Sequence, residues 1–255
     1  MSYQATAATQ WNVRTTERYF YLSMGIACAL IVFLGFSPSY FLSSVMERPA
    51  TAPPITLYIH LHAGIFTTWI ALFITQTALV SADRRDIHRR LGVLGIAVAI
   101  ALVTINMATV MEAIADSDRA STKAVPGFAR LYVAISTSLL AAGYIAAGMY
   151  FRRNRDTHKR LMLLATIGMV GPAMNRIISY FDLTNLTGID RGTLALSATL
   201  SLYGVCVAND LTRRRRVHPV YLIGTALALA IVSTPSRLMI VESEAWQRFA
   251  KWVIG

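Results

Sequence analysis

Charge is scarce in this chain. Asp, Glu, Lys and Arg make up only 15% of its 255 residues, where an ordinary soluble domain carries about 25%. The charges gather in short clusters and leave long uncharged runs between them. Cysteine is scarcer still. Cys28 and Cys206 both lie inside apolar runs, with no CxxC pair and no zinc-type spacing, which argues against a disulfide framework and against a cysteine metal site. There is no glycine-rich nucleotide loop, no GxSxG elbow and no HExxH pair, so no particular enzymatic reaction is supported and the question of catalysis stays open. A polar leader precedes the first apolar run near Tyr19 and no small-residue cleavage site follows it, so no cleavable signal peptide is expected.

What the chain does have is apolar surface. It is 55% hydrophobic, with a mean hydropathy of +0.50. A helix needs roughly 20 apolar residues to cross a bilayer, and seven runs approach this: 19–37, 56–80, 91–112, 129–151, 161–181, 193–209 and 218–234. The last two are the shortest. The runs are too long and continuous for barrel strands, so residues 1–255 read as one all-α polytopic membrane domain of about seven transmembrane helices. The net charge of +11 comes from basic residues in the short loops between runs. That placement points to membrane orientation and anionic phospholipids as partners, and away from nucleic acid.

Lys and Arg also set an expected orientation. Arg84, Arg85, Arg89 and Arg90 fall in one loop, Arg152, Arg153, Arg155, Lys159 and Arg160 in a second, and Arg213 to Arg216 in a third. The alternate short loops hold Arg48, Arg119, Lys123 and Arg191. The positive-inside rule then gives an N-in, C-out bundle in the cytoplasmic (inner) membrane of a bacterium. The tail at 242–255 reads as an interfacial helix on the outer surface, with Trp246, Phe249, Ala250 and Val253 sharing one face.

One basic corner is written twice: RDIHRRL at 85–91 and RDTHKRL at 155–161. Spans 2–3 and 4–5 are therefore candidate repeats of one helical hairpin. The plain reading makes Asp86 and Asp156 the N-caps of the helices that follow, with cations setting topology and reaching headgroups. Yet cations at a helix N-terminus oppose the macrodipole, and with free N–H groups they make an anion site. Lipid phosphate would fill it. So would the propionates of a b-type haem whose iron is held by His88 and His158, with Arg89, Lys159 and Arg160 nearby. His218, followed by Pro219, marks another helix start.

The opposite half of the membrane holds His60, His62 and Arg176. Two residues apart on a helix is about 200°, so His60 and His62 cannot share one metal ion. His62, Trp69 and Gln76 form a stripe at seven-residue spacing. Arg176 within an apolar span wants a partner, and Glu112 and Asp182 are candidates; Asn106 and Asn175 are polar neighbours.

With these corners the chain resembles an uncharacterised group of bacterial integral membrane proteins, the DUF2306-like group, over roughly 56–180. The shared pattern falls on His60 or His62, Gln76, His88 to Gly92, His158 to Met162, and Arg176. Leu161 stands where the group often has Trp. The group looks distantly like the cytochrome b561 type of haem protein, and the resemblance implies histidines at both ends of a helical bundle.

Two functions follow. The first is b-type haem or quinone-linked electron transfer, with His88 and His158 as the metal ligands and His60 or His62 with Arg176 at an outer site. The second is a cofactor-free binder or carrier of a small molecule or lipid, with His62, Gln76, Asn106 and Arg176 around a polar cavity. An accessory subunit of a larger membrane complex is a third.

Overall fold

The computed structural model describes residues 2–50, 52–119 and 127–254. Lys123, counted above among the loop cations, lies outside them. Every regular element among the described residues is helical: α1 (Ser2–Phe36), a π-helical turn (Ser37–Phe41), α2 (Leu57–Ser81), α3 (Arg85–Arg119), α4 (Gly127–Tyr150), α5 (Arg155–Gly168), α6 (Gly171–Tyr180), α7 (Leu183–Thr187), α8 (Arg191–Arg214), α9 (Pro219–Val232), α10 (Thr234–Val241) and α11 (Glu244–Ile254).

Among the described residues six stretches are long and apolar enough to cross a membrane: Tyr19–Phe41, Leu57–Ser81, Arg85–Ala115, Gly127–Tyr150, Arg155–Tyr180 and Arg191–Arg214. The chain is therefore a multi-pass integral membrane protein. The seventh expected span is α9, only 14 residues long. At 1.5 Å per residue it reaches about 21 Å, short of a hydrocarbon core of about 30 Å. The fifth span is not one straight helix. It breaks between Gly168 and Gly171, and Pro172, which has no N–H to donate, stands in the first turn of α6.

The hairpins α2–α3 and α4–α5 pack side by side, α1 lies against α2 and α6, and α9 lies against α4, α5 and α8. The main core gathers Trp69, Phe73, Tyr144, Leu163, Leu164, Ile167 and Tyr221. Trp69 donates from Nε1 to Thr166 Oγ1 at 3.2 Å, joining α2 to α5. Tyr144 donates to the Gly224 carbonyl at 2.6 Å, joining α4 to α9. In α11, Trp246, Ala250 and Val253 pack on a second cluster with Ile114 and Leu131, while Phe249 and Trp252 stay exposed. Part of the expected interfacial face thus seats the tail helix on the bundle.

The basic corners converge at one end. Arg160 is fully buried, and its guanidinium makes a two-pronged contact with the equally buried Asp210 of α8, Nε to Oδ2 being 3.1 Å. Asp210 Oδ2 also accepts from the backbone N–H of His218 at 3.1 Å. Asp156 is not the N-cap of α5. Asn154 is, accepting from Thr157 N, which frees the Asp156 carboxylate to take both Nη atoms of Arg214 at 3.0 Å and Lys159 at 2.8 Å. Asp86 at the first corner pairs, among the described residues, with exposed Arg84 at 3.6 Å.

Helix packing at the other end is tight where α1 meets α6. A Cβ at Gly35 would lie 2.5 Å from the backbone oxygen of Ala173, whereas one at Gly143 would meet nothing within 4 Å. Gly35→Ala is expected to destabilise the purified protein by about 1–3 kcal/mol through forced helix displacement. Gly143→Ala is expected to be neutral or stabilising by up to about 1 kcal/mol. Thermal unfolding of the two variants in the same detergent checks the contrast.

Candidate functional site

The residues singled out in the sequence divide between two places, toward opposite ends of α2. At the basic end, His88 from α3 and His158 from α5 face each other with ring centroids 6.4 Å apart and planes at 87°. His158 Nδ1 lies 2.7 Å from the Gly148 carbonyl. A carbonyl only accepts, so Nδ1 carries the proton, and in the neutral ring Nε2 keeps its lone pair. His88 Nδ1 and Gln76 Oε1 are both enclosed without a hydrogen-bond partner. The amide of Gln76 runs close to Gly92, one turn beyond His88: its Nε2 would lie 3.8 Å from a Cβ there.

The cations expected to serve this corner are largely engaged by the protein itself. Arg160 holds Asp210 and the Asp156 carbonyl. Lys159 holds Asp156 and lies over the Tyr21 ring at 5.4 Å. Arg89 donates to the Arg85 carbonyl at 3.4 Å and is exposed. His218 caps α9, its Nδ1 accepting from Val220 N at 3.3 Å, with Pro219 in the first turn.

At the other end lies a cavity of about 100 Å³ between the end of α1, the start of α2 and the α5–α6 break. Its walls are mostly apolar, with Phe36, Phe41, Phe66, Ile70 and Met169. Six polar side chains line it among the described residues: Ser39, Tyr40, Arg48, His62, Thr67 and Arg176. Ser39 Oγ and His62 Nδ1 are enclosed without a partner. His62 stacks on Phe66 at 4.2 Å. Arg176 lies over the Phe36 ring at 4.2 Å and donates once, to the Pro172 carbonyl at 3.2 Å. Arg48 donates to the backbone carbonyls of Ser39 and Pro53. Among the described residues no Asp or Glu lines this cavity.

Two expected pairings are corrected here. Glu112 accepts from Thr56 at 2.7 Å, tying α3 to the start of α2, and Asp182 accepts from Asn185 within its own turn. Among the described residues neither forms an ion pair with Arg176. Asn106 donates to Ser138 at 2.8 Å, bonding α3 to α4 away from the cavity. Gln76, the other polar residue expected around the cavity, sits at the opposite end. His60 diverges from His62, as helical geometry requires, and meets Tyr40 OH at 2.9 Å.

Asp210, Ser39 and Arg48 were not anticipated. An Asp placed just before an arginine run was a readable signal for the first. Ser39 and Arg48 come to the cavity through the π-helical turn after α1 and the loop that follows, which no periodicity marks.

No family model, curated protein or solved structure matches the chain.

The cap on α9 titrates. Burial, and then the Arg160 charge, lower the His218 pKa from its ordinary value of 6.5, while Asp210 and Asp156 oppose this and Arg214 adds to it. The unfolded chain therefore takes up a proton first as pH falls, so the stabilisation by neutral His218 is complete above about pH 6.5 and is lost below it. His218→Asn keeps an acceptor at the cap without a titrating ring. It is expected to unfold with less acid sensitivity between about pH 6.5 and 5 than the parent, read as the shift in thermal midpoint with pH.

Proposed function

We propose that this multi-pass membrane protein binds a small membrane-borne amphiphile, taking its polar head into the cavity between α1, α2 and α6. The observation that carries this reading is the cavity itself: a mostly apolar hollow entered by Arg176, His62 and Ser39. Ligand sites have this composition, apolar walls with a few convergent polar groups. Sites for whole drug-sized ligands run from about 300 Å³ upward; a hollow of about 100 Å³ suits a head group, with the remainder of the molecule outside it. Binding stabilises the folded state by mass action, by about 2.7 kcal/mol at a hundredfold excess over Kd. A panel of single-chain acids, alcohols and short-tailed quinones should therefore contain members that raise the thermal midpoint saturably. Ala63→Trp, which fills the cavity, should lose that rise. A panel that leaves the midpoint flat, or an equal rise in Ala63→Trp, would remove the reading.

A second reading, electron transfer through a b-type haem, is favoured by one observation. His88 and His158 come from different helices and face each other at 6.4 Å, and the Gly148 carbonyl fixes the His158 tautomer with Nε2 free to ligate. The donor set fits an axial pair, and a bound haem would supply one-electron chemistry. The resemblance over 56–180 to the DUF2306-like group is in keeping with it. Visible spectra of the purified protein, as isolated and after dithionite, decide this. A Soret band with sharpened α and β bands on reduction, bleached in His88→Ala and His158→Ala together, is the expected result. A featureless spectrum from cells grown with ample haem would leave the corner as a structural device.

A further inference from the structure

We infer that the head group taken up by the cavity is an oxyanion. This rests on the proposed binding of an amphiphile and adds its charge and chemical class.

Among the described residues the cavity carries two guanidinium groups, from Arg48 and Arg176, and no carboxylate. At the basic end the fully buried Arg160 is matched by Asp210, and the half-buried Lys159 and Arg214 are both matched by Asp156. At the cavity, by contrast, the half-buried Arg48 and Arg176 meet backbone carbonyls and a ring face, and among the described residues no acid pairs with them. A cation held away from water costs free energy unless it is paired, so the site is electrostatically incomplete. A guanidinium has five N–H donors in a fixed fork. One hydrogen bond from Arg176 is accounted for, which leaves an edge able to grip two oxygens of one group.

The neutral groups agree with this. Ser39 Oγ and His62 Nδ1 are enclosed on the same cavity with no partner in the protein. A hydroxyl and a ring N–H both donate to an oxyanion.

Size sets the class. At about 100 Å³ the hollow is well below the roughly 300 Å³ from which sites for whole drug-sized ligands start. It suits a compact head such as a carboxylate or a phosphate monoester. The ligand is thus an oxyacid amphiphile with its apolar chain running over Phe36, Phe66 and Ile70.

The test uses the full chain in nanodiscs of zwitterionic phosphatidylcholine, with radiolabelled dodecanoate in equilibrium dialysis and empty nanodiscs as background. Competitors are dodecanol, dodecyl phosphate and acetate. The inference expects saturable dodecanoate binding that dodecanol displaces at least about tenfold less well. Arg176→Gln should weaken dodecanoate binding by about tenfold or more and leave the weak dodecanol competition unchanged. Displacement by dodecyl phosphate at or below the dodecanoate concentration would support the oxyanion and assign a phosphate head. Dodecanol competing as well as dodecanoate would overturn the oxyanion inference while leaving amphiphile binding intact. Acetate competing as well as dodecanoate would retain the anion and overturn the amphiphile. No saturable binding of either would overturn both. The preference for dodecanoate over dodecanol is read on the unmodified chain, so it stands even if Arg176→Gln folds poorly.

Discussion

The architecture hangs on one buried ion pair. Arg160 and Asp210 are almost wholly removed from solvent, at 0% and 1% exposure, and belong to α5 and α8, fifty residues apart. Two charges in such a place are tolerated only with good geometry and with their remaining donors and acceptors used. Both conditions are met: the contact is two-pronged, the third guanidinium nitrogen donates to the Asp156 carbonyl, and Asp210 also accepts from His218 N. That last bond sets the start of α9. It is reached because Arg215 adopts a left-handed backbone, φ 53°, which closes α8 and turns the chain back on itself. One pair thus fixes α5, α8 and α9 together at the basic end, and with them the position of His158.

The two copies of the basic corner have come to different uses. At the second, Asp156 and Arg160 are absorbed into links with α8. At the first, Arg90, which occupies the place of Arg160, is exposed, and Asp86 pairs, among the described residues, with exposed Arg84. A seven-residue match therefore carries local helix-starting chemistry from one hairpin to the other. It does not carry the tertiary partner, since the first hairpin has no counterpart of α8 against it. The histidines are the shared remainder, and they meet across the gap between the hairpins.

Much of this was legible in the sequence, and the limits have physical causes. Hydropathy located the membrane helices, because in a bilayer every backbone polar group must be satisfied within a helix and long apolar runs follow. At 218–234 the expected span is the apolar helix α9, which stops at 14 residues and is shorter than the other six. Hydropathy also passed over the break at 168–171, although Gly168, Gly171 and Pro172 were there to be read. Asp156 looked like an N-cap because Asp commonly serves as one; Asn154 stands one residue before the helix and takes the role instead. Pairings such as Arg160 with Asp210 depend on which helices are neighbours, and no local pattern encodes that. At the cavity, His62 and Arg176, singled out in the sequence as polar residues in an apolar setting, both line the walls. The sequence assigned them Gln76 and Asn106 as companions, yet Gln76 lies at the opposite end and Asn106 is bonded to Ser138. The actual companions, Ser39 and Arg48, arrive on a π-helical turn and a loop.

The central claim, that a buried Arg160–Asp210 pair holds the basic end together, is tested most directly by a double-mutant cycle on thermal or denaturant unfolding. Removing either partner alone leaves the other charge buried and unmatched, so Arg160→Met and Asp210→Leu should each destabilise by about 3–5 kcal/mol. The double variant should fall well short of their sum, leaving a coupling energy of a few kcal/mol. Strictly additive effects, or single variants as stable as the parent, would contradict the account.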